Sequence, residues 1–386
     1  MNFDEVIDRR STESLKWCLY DEDVLPLWVA DMDFRCPQAV IDALNKRVSH
    51  GIFGYSIVPD DLPEIIVERM RRLYQWDITE EDVCFVPGVV TGLNLTVRAL
   101  CKPGDAVMVQ TPVYPPFLSA PIRAGLKRVD NSLTQNDDGN YAVDYKSFES
   151  QIVKNNVKLF ILCNPHNPVG RVFKHEELLR MADICLKHNV IVCSDDIHCD
   201  LIFSGYKHIP LASLNQDIAA NTITFLAPSK TYNIAGLHTS VGIIQDAGLR
   251  EMIMKTRKGL ISNPGLLSLT AARAAYLHGD AWLADLMHYL EENRDWLVSA
   301  VRENLPGVKM TVPEGTFLAW LDCRSVLKDV NPHEFFLQKA RVGLNDGATF
   351  GSGGEGFARL NFASPRSILE EAIPRMRNAM LEEGLI

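Results

Sequence analysis

The chain alternates between short, uniformly apolar runs and longer stretches in which apolar residues recur every three or four positions. VCFV (83–86), AVMVQ (106–110), KLFILC (158–163), VIVCS (190–194) and TITFL (222–226) are the short runs. The helical period appears from about Thr91 to Cys101, again from about Pro115, and in HEELLRMADICLKHN. Strands that are apolar on both faces belong in a mostly parallel sheet covered by helices, so the pattern predicts an α/β fold. Ligands of such sheets sit outside the carboxyl ends of the strands. Gly88, Tyr114, Asn167, Asp195 and Lys230 each lie just after one of these runs. The last hundred residues change character. A long helical region over about 280–303 precedes two short strand patterns, TFLAWLD and FARLNFA, split by glycine-rich loops. This predicts a large domain of residues 46–278 and a smaller α+β domain built from 1–45 and 279–386. Two domains also suit 386 residues, too many for one simple core.

Composition narrows the partners. Lys plus Arg number 39 and Asp plus Glu 49, for a formal charge of −10, which argues against nucleic acid or an anionic membrane. The opening MNFDEVIDRR is too charged for a secretory signal. No apolar run approaches the roughly 18 residues of a membrane span. The nine cysteines are scattered and form no C-x-x-C pair, so neither a metal site nor a disulfide framework is expected. Together these features predict a reduced, cytoplasmic protein.

One stretch imitates a known fingerprint. GSGGEG, Gly351 to Gly356, matches G-x-G-x-x-G, but the dinucleotide motif requires a strand before it and a helix after it. Here a strand pattern follows, with Leu360 and Phe362 on one face and Arg359 and Asn361 on the other, so the stretch is expected to be a loop.

The sharper question is TITFLAPSKTYNIAG, in which a sheet strand runs into Lys230. A lone lysine there can simply reach solvent. A desolvated one loses its charge more readily, and a neutral amine can form a Schiff base with a carbonyl compound. Other loops offer complementary chemistry. PGVVTG opens a helix with a glycine turn whose amides and dipole suit a phosphate. CNPHNPVGR is a turn by composition, yet it also fixes an asparagine amide rigidly. Asp195 in SDDIHCD is either a helix cap or an acid that stays ionised beside a ring nitrogen.

In this order, the glycine turn, Tyr114, N-P-x-N-P-x-G, S-D-x-x-H, S-K-T-Y-N-x-x-G and the late R-L-N-F-A resemble the fold-type I pyridoxal-phosphate enzymes of the class I/II aminotransferase superfamily. The resemblance spans essentially the whole chain. FDEVIDRRSTESLKW, LPLWVADMDF and FGYS are similar to the MalY/PatB-type cystathionine β-lyases, also called cysteine-S-conjugate β-lyases. The resemblance implies that Lys230 holds the cofactor aldehyde and shuttles a proton, and that Asp195 pairs with the ring nitrogen. It implies that Asn167 bonds the phenolic oxygen, Tyr114 stacks on the ring, and the Val89 and Val90 amides with Ser229 hold the phosphate. Tyr55 would reach the phosphate of the neighbouring subunit, giving a homodimer with shared sites, and Arg359 would clamp the carboxylate of an amino-acid substrate. His238 stands where many aminotransferases of the superfamily carry a phosphate-binding arginine, and the lyase branch commonly lacks that arginine. Asp196 replaces the branch's usual Glu, and Cys18 ends K-W-C where an acid is usual. The implied activity is carbon–sulfur β-elimination. Transamination uses the same residues and remains an alternative, as does a cofactor-binding regulator.

Overall fold

The apolar runs form one seven-stranded sheet. Its strands are β1 (Val83–Val86), β2 (Ala106–Thr111), β3 (Lys127–Ser132), β4 (Val157–Cys163), β5 (Ile191–Asp195), β6 (Thr222–Leu226) and β7 (Ser240–Ile243), in the order β1-β7-β6-β5-β4-β2-β3. The five strands from β6 to β3 run parallel, and β7 lies antiparallel to both β6 and β1. This computed structural model describes residues 2–136 and 139–386. Strands β3 and β7 escape the sequence pattern. KRVDNS is almost entirely polar because it lies at the sheet edge, and SVGI is too short to show a period.

Side chains alternate across the sheet as the strand period requires. Val107, Val109, Leu159, Ile161, Ile223 and Phe225 pack on the side of the sheet covered by the helices Val89–Leu100, Pro115–Arg123 and Ala247–Arg257. Met108, Phe160, Leu162 and Val192 face the opposite way, against the helix His175–Lys187. Each such buried side chain contributes about 1.5–3 kcal/mol. The helix Val89–Leu100 begins two residues earlier than its apolar period suggested, because Gly88, at φ +99°, turns the chain sharply out of β1. It then lies close on the sheet. A Cβ at Gly92 would come within 2.5 Å of the Phe225 ring.

After Leu266–His278, the long helix Asp280–Asn304 leads to a second, antiparallel sheet. Its strands are β8 (Lys309–Met310), β9 (Leu318–Asp322), β10 (Asn345–Asp346) and β11 (Phe357–Asn361), in the order β8-β9-β11-β10, and the chain closes with the helix Arg366–Glu382. GSGGEG is the loop entering β11, with Gly351, Gly353 and Gly356 at positive φ and a strand rather than a helix after it. Residues 45 and 46, the expected boundary, lie inside the continuous helix Gln38–Ser49, which packs on Leu266–His278. We propose that this whole helix belongs to the larger unit.

The N-terminal segment ties the two sheets together. Leu25–Pro26 pairs in parallel with Val342–Gly343, and the chain then runs along the end of β11. Asn361 N donates to Leu27 O at 2.9 Å, and its Nδ2 donates to Val29 O and Asp31 O at 2.7 Å each. This strap ends beside the carboxyl edge of the large sheet. Among the described residues no helix is long and apolar enough to cross a membrane.

Candidate active site

Register brings the site together. Cys163 lies opposite Asp195, and Asp195 opposite Phe225, so the loops after β4, β5 and β6 leave the sheet at one level. They open into a cavity of about 600 Å³ lined by Val89, Val90, Tyr114, Asn167, Asp195, Ser229, Lys230 and Arg359, among others. Eight residues singled out from the sequence thus share one space. Tyr55 does not join them. It is fully exposed, within a stretch that also exposes Ile52, Phe53 and Ile57.

Lys230 owes its position to a braced turn. Ala227 is extended and Pro228 starts a single helical turn, Pro228–Thr231. Tyr232 N donates to Pro228 O and Ile234 N to Ser229 O, while the Thr231 hydroxyl donates to Asp200 at 2.9 Å. Asn233, at φ +54°, locks the turn to the strap through Met32 and Phe34. The Lys230 amine donates to Ala30 O at 2.5 Å. Burial draws it down to about 8, with Arg359 acting the same way and the carboxylates Asp31 and Asp195 opposing.

Asp195 ends β5 deep in the wall. Its Oδ1 accepts from the Ile197 amide at 3.0 Å, and among the described residues no cation is paired with it. Burial pushes it up to about 7; the Ile197 amide and Lys230 act against that rise, and its neighbour Asp196 adds to it. Asp196 points away from the cavity, accepting from the Ser194 hydroxyl and from His208 Nε2. The usual glutamate of the branch is therefore replaced at a buried supporting position, outside the cavity lining.

Arg359 on β11 is buried as well. It donates to Asn167 Oδ1 and Trp28 O at 3.0 Å and to Asn345 Oδ1 at 2.5 Å, and its Nε has no partner. These are neutral oxygens, and among the described residues no carboxylate meets it. Burial draws the guanidinium down to about 10. Because Asn167 presents its oxygen to Arg359, its NH2 group remains as a donor for a ligand. Tyr114 caps the helix Pro115–Arg123 at the mouth, and burial raises its phenol.

Sequence reasoning passed over several lining residues. His198 is buried with Nδ1 unpartnered, and burial, with Lys230 and Arg359 nearby, lowers it to about 3, so the ring is neutral. Its signal was the D-x-x-H spacing after β5. Trp28, Val29 and Ala30 of the strap also line the cavity, as does Thr91; His238, noted in the sequence in place of a phosphate-binding arginine, lines it too. Strap residues carried no local sign of chemistry, because two of them act through backbone carbonyls.

The unmet needs of the cavity are complementary. A buried acid lacks a cation, a buried guanidinium lacks an anion, and the Val89 and Val90 amides at a helix start have no intrahelical acceptor. A ring bearing a protonated nitrogen and a phosphate, together with a carboxylate, would satisfy all three.

Residues 22–376 match the family Aminotransferase class I and II. The chain is 41% identical to cystathionine beta-lyase PatB of Bacillus subtilis, over 98% of this chain and all of that one. Cystalysin from Treponema denticola, whose crystal structure contains a pyridoxal 5′-phosphate cofactor, superposes with a TM-score of 0.95 at 35% identity over 99% of each chain. The pyridoxal-phosphate-bound C–S lyase from Staphylococcus hominis does so at 0.93 and 34%, again over 99% of each. The chain belongs to the aminotransferase class I and II family, in its MalY/PatB-type branch.

Proposed function

We propose that this protein is a pyridoxal 5′-phosphate-dependent carbon–sulfur β-lyase that cleaves cystathionine or a related cysteine S-conjugate to a thiol, pyruvate and ammonia. The observation that carries this reading is the meeting of Lys230, Asp195 and an acid-free Arg359 in one cavity. The residues present fit the cofactor: Asp195 would answer its ring nitrogen, the Val89 and Val90 amides its phosphate, and the Lys230 amine its aldehyde.

Pyridoxal phosphate supplies an aldehyde that joins the substrate amine and a ring that takes up the electron pair left at Cα. The chain does the rest. The Val89 and Val90 amides and the Ser229 hydroxyl hold the phosphate, Asn167 donates to the phenolic oxygen, and Tyr114 covers the ring face. The Asp195 carboxylate keeps a proton on the ring nitrogen. Arg359 orients the substrate through its carboxylate, and Lys230 Nζ takes the Cα proton, for which a lowered proton affinity suits it. Water enters and thiol, pyruvate and ammonia leave, so no second organic substrate is consumed.

The deciding experiment incubates the protein with cystathionine, with and without 2-oxoglutarate. Pyruvate should form without the keto acid. Turnover that depends on 2-oxoglutarate would make the protein an aminotransferase instead.

The working unit in this reading is a homodimer, in which Tyr55 reaches the phosphate of the neighbouring subunit. Its full exposure beside Ile52, Phe53 and Ile57 supports this. Tyr55→Phe should lose activity, since a hydrogen bond to a charged group is worth about 1.5–3 kcal/mol. Mixing it with Lys230→Ala should then restore activity, because one site of the mixed dimer keeps both groups. No recovery after confirmed subunit exchange would refute sharing.

A further inference from the structure

The rim of the cavity carries a residue that the proposed chemistry leaves unused. Leu15 lines the cavity yet is 63% exposed, so its side chain stands at the opening. Its place is fixed from behind. Lys16, the next residue, is fully buried and gives Nζ to Asp33 at 2.7 Å, which leaves Leu15 outside. The Lys16 carbonyl accepts from the Trp28 indole at 3.2 Å, and the Trp28 carbonyl accepts from Arg359 at 3.0 Å. One residue of the strap thus joins the carboxylate clamp to an apolar rim.

Charge is scarce around that rim. Among the described residues lining the cavity, Asp195, Lys230 and Arg359 supply the charged side chains, and the proposed mechanism commits each of them. His198 is neutral, and His238 stands where many relatives carry a phosphate-binding arginine. Leu15 and Ala235 also border a neighbouring hollow of about 370 Å³, whose charges are already answered. Arg9 meets Asp31 and Asp33 there, and Arg35 meets Glu5. The segment that reaches the neighbouring subunit in the dimer reading, GIFGYSIV (51–58), holds no charged side chain and exposes Ile52, Phe53 and Ile57.

We infer that the leaving group this site accepts is a thiol with an uncharged, apolar substituent, and that Leu15 is the specificity-determining residue that covers it. The inference rests on the β-lyase reading and narrows its substrate to S-alkyl and S-aryl cysteines ahead of cystathionine. Every such substrate offers the same amine and carboxylate to the inner cavity, so the choice among them falls to the S-substituent. The leaving half of cystathionine carries an ammonium and a carboxylate. At a rim without counter-ions those charges lose hydration and gain no partner, whereas an alkyl chain gains from each methylene it buries.

Kinetics of the full-length, cofactor-loaded protein decide this. Pyruvate release is followed from S-methyl-, S-propyl- and S-butylcysteine and from cystathionine. Simple alkyl thiols leave with nearly equal ease, so their order reads the rim alone. Along that series kcat/KM should rise about fourfold per methylene. S-butylcysteine, whose chain matches the leaving half of cystathionine in length, should exceed cystathionine at least about tenfold. Leu15→Lys should cut that excess about tenfold by meeting the distal carboxylate, and S-methylcysteine, too short to reach the rim, should change less than about twofold. Calorimetric titration of Lys230→Ala, in which bound substrate is not turned over, should rank the affinities in the same order. Cystathionine preferred to S-butylcysteine, or an excess that Leu15→Lys leaves unmoved, overturns the inference. Pyruvate from none of the four overturns the β-lyase reading instead. The wild-type order decides alone if the Leu15 variant misfolds.

Discussion

Arg69 and Arg359 are almost equally hidden, at 4% and 3% exposure, and their surroundings are opposite. Arg69 meets Asp200 at 2.7 Å and Asp280 at 3.1 Å and stacks over Tyr276. Among the described residues Arg359 meets only neutral oxygens and the Phe350 ring. Two buried acids repeat the contrast. Burial pushes Asp33 up, but Lys16, Ser364 and Trp17 bring it below the usual carboxylate range. Asp195 has an amide and, among the described residues, no paired cation, and stays up at about 7. In the bracing clusters the protein satisfies its own charges, so burial there serves structure. In the cavity it leaves them for a ligand, and that difference marks the site more sharply than burial or residue type.

The largest break in this contrast comes from removing the amine. Lys230→Ala should lower lyase turnover by at least about 10²–10⁴-fold while the protein still folds. Full turnover in that variant would sink the assignment.

The two acids should then respond with opposite signs in urea unfolding of the cofactor-free protein near pH 8. Asp33→Asn should cost about 3–5 kcal/mol, because Lys16 is left buried and unpaired. Asp195→Asn should stabilise by about 1–3 kcal/mol. The sign follows from the direction of each shift. Asp195 is raised, so its favourable contribution is complete in acid and is lost as pH climbs to about 7. Asp33 is lowered, so its contribution is present at neutral pH and lost in acid. With cofactor bound, Asp195→Asn should instead reduce kcat by about 10²–10³-fold, with less effect on KM.

A finer test exchanges the arginines for leucine. Arg69→Leu strands Asp200 beside the lysine turn and should cost about 3–5 kcal/mol of stability. Arg359→Leu strands no acid. Its stability should stay within about 1 kcal/mol, and kcat/KM should fall about 10–100-fold through lost carboxylate contacts. Equal destabilisation by both would erase the distinction between bracing and binding charge.

The sequence pattern revealed the parallel core because strands buried on both faces cannot hide their composition. It missed β3 and β7, where an edge strand is almost entirely polar and a four-residue strand has no period. The start of the helix Val89–Leu100 was placed late because Gly88, not an apolar residue, sets it. Lys230, Asp195 and Asn167 stood out because each chemistry-bearing side chain follows or ends a strand at the same sheet edge, whereas Arg359, inside a strand of the second sheet, stood out only through the family resemblance. Trp28 and Ala30 did not, since they contribute carbonyl oxygens that any residue type carries. His198 was visible only as a spacing, with nothing to say that its ring turned inward.

The claim that the cavity charges await a ligand is tested most directly by unfolding wild type and Asp195→Asn between about pH 5 and about pH 8, with and without pyridoxal phosphate. Loading should stabilise the wild type more than the variant, and it should remove the wild type's loss of stability toward pH 7, because a ring proton then offsets Asp195. Equal gains in both proteins across the range would contradict it.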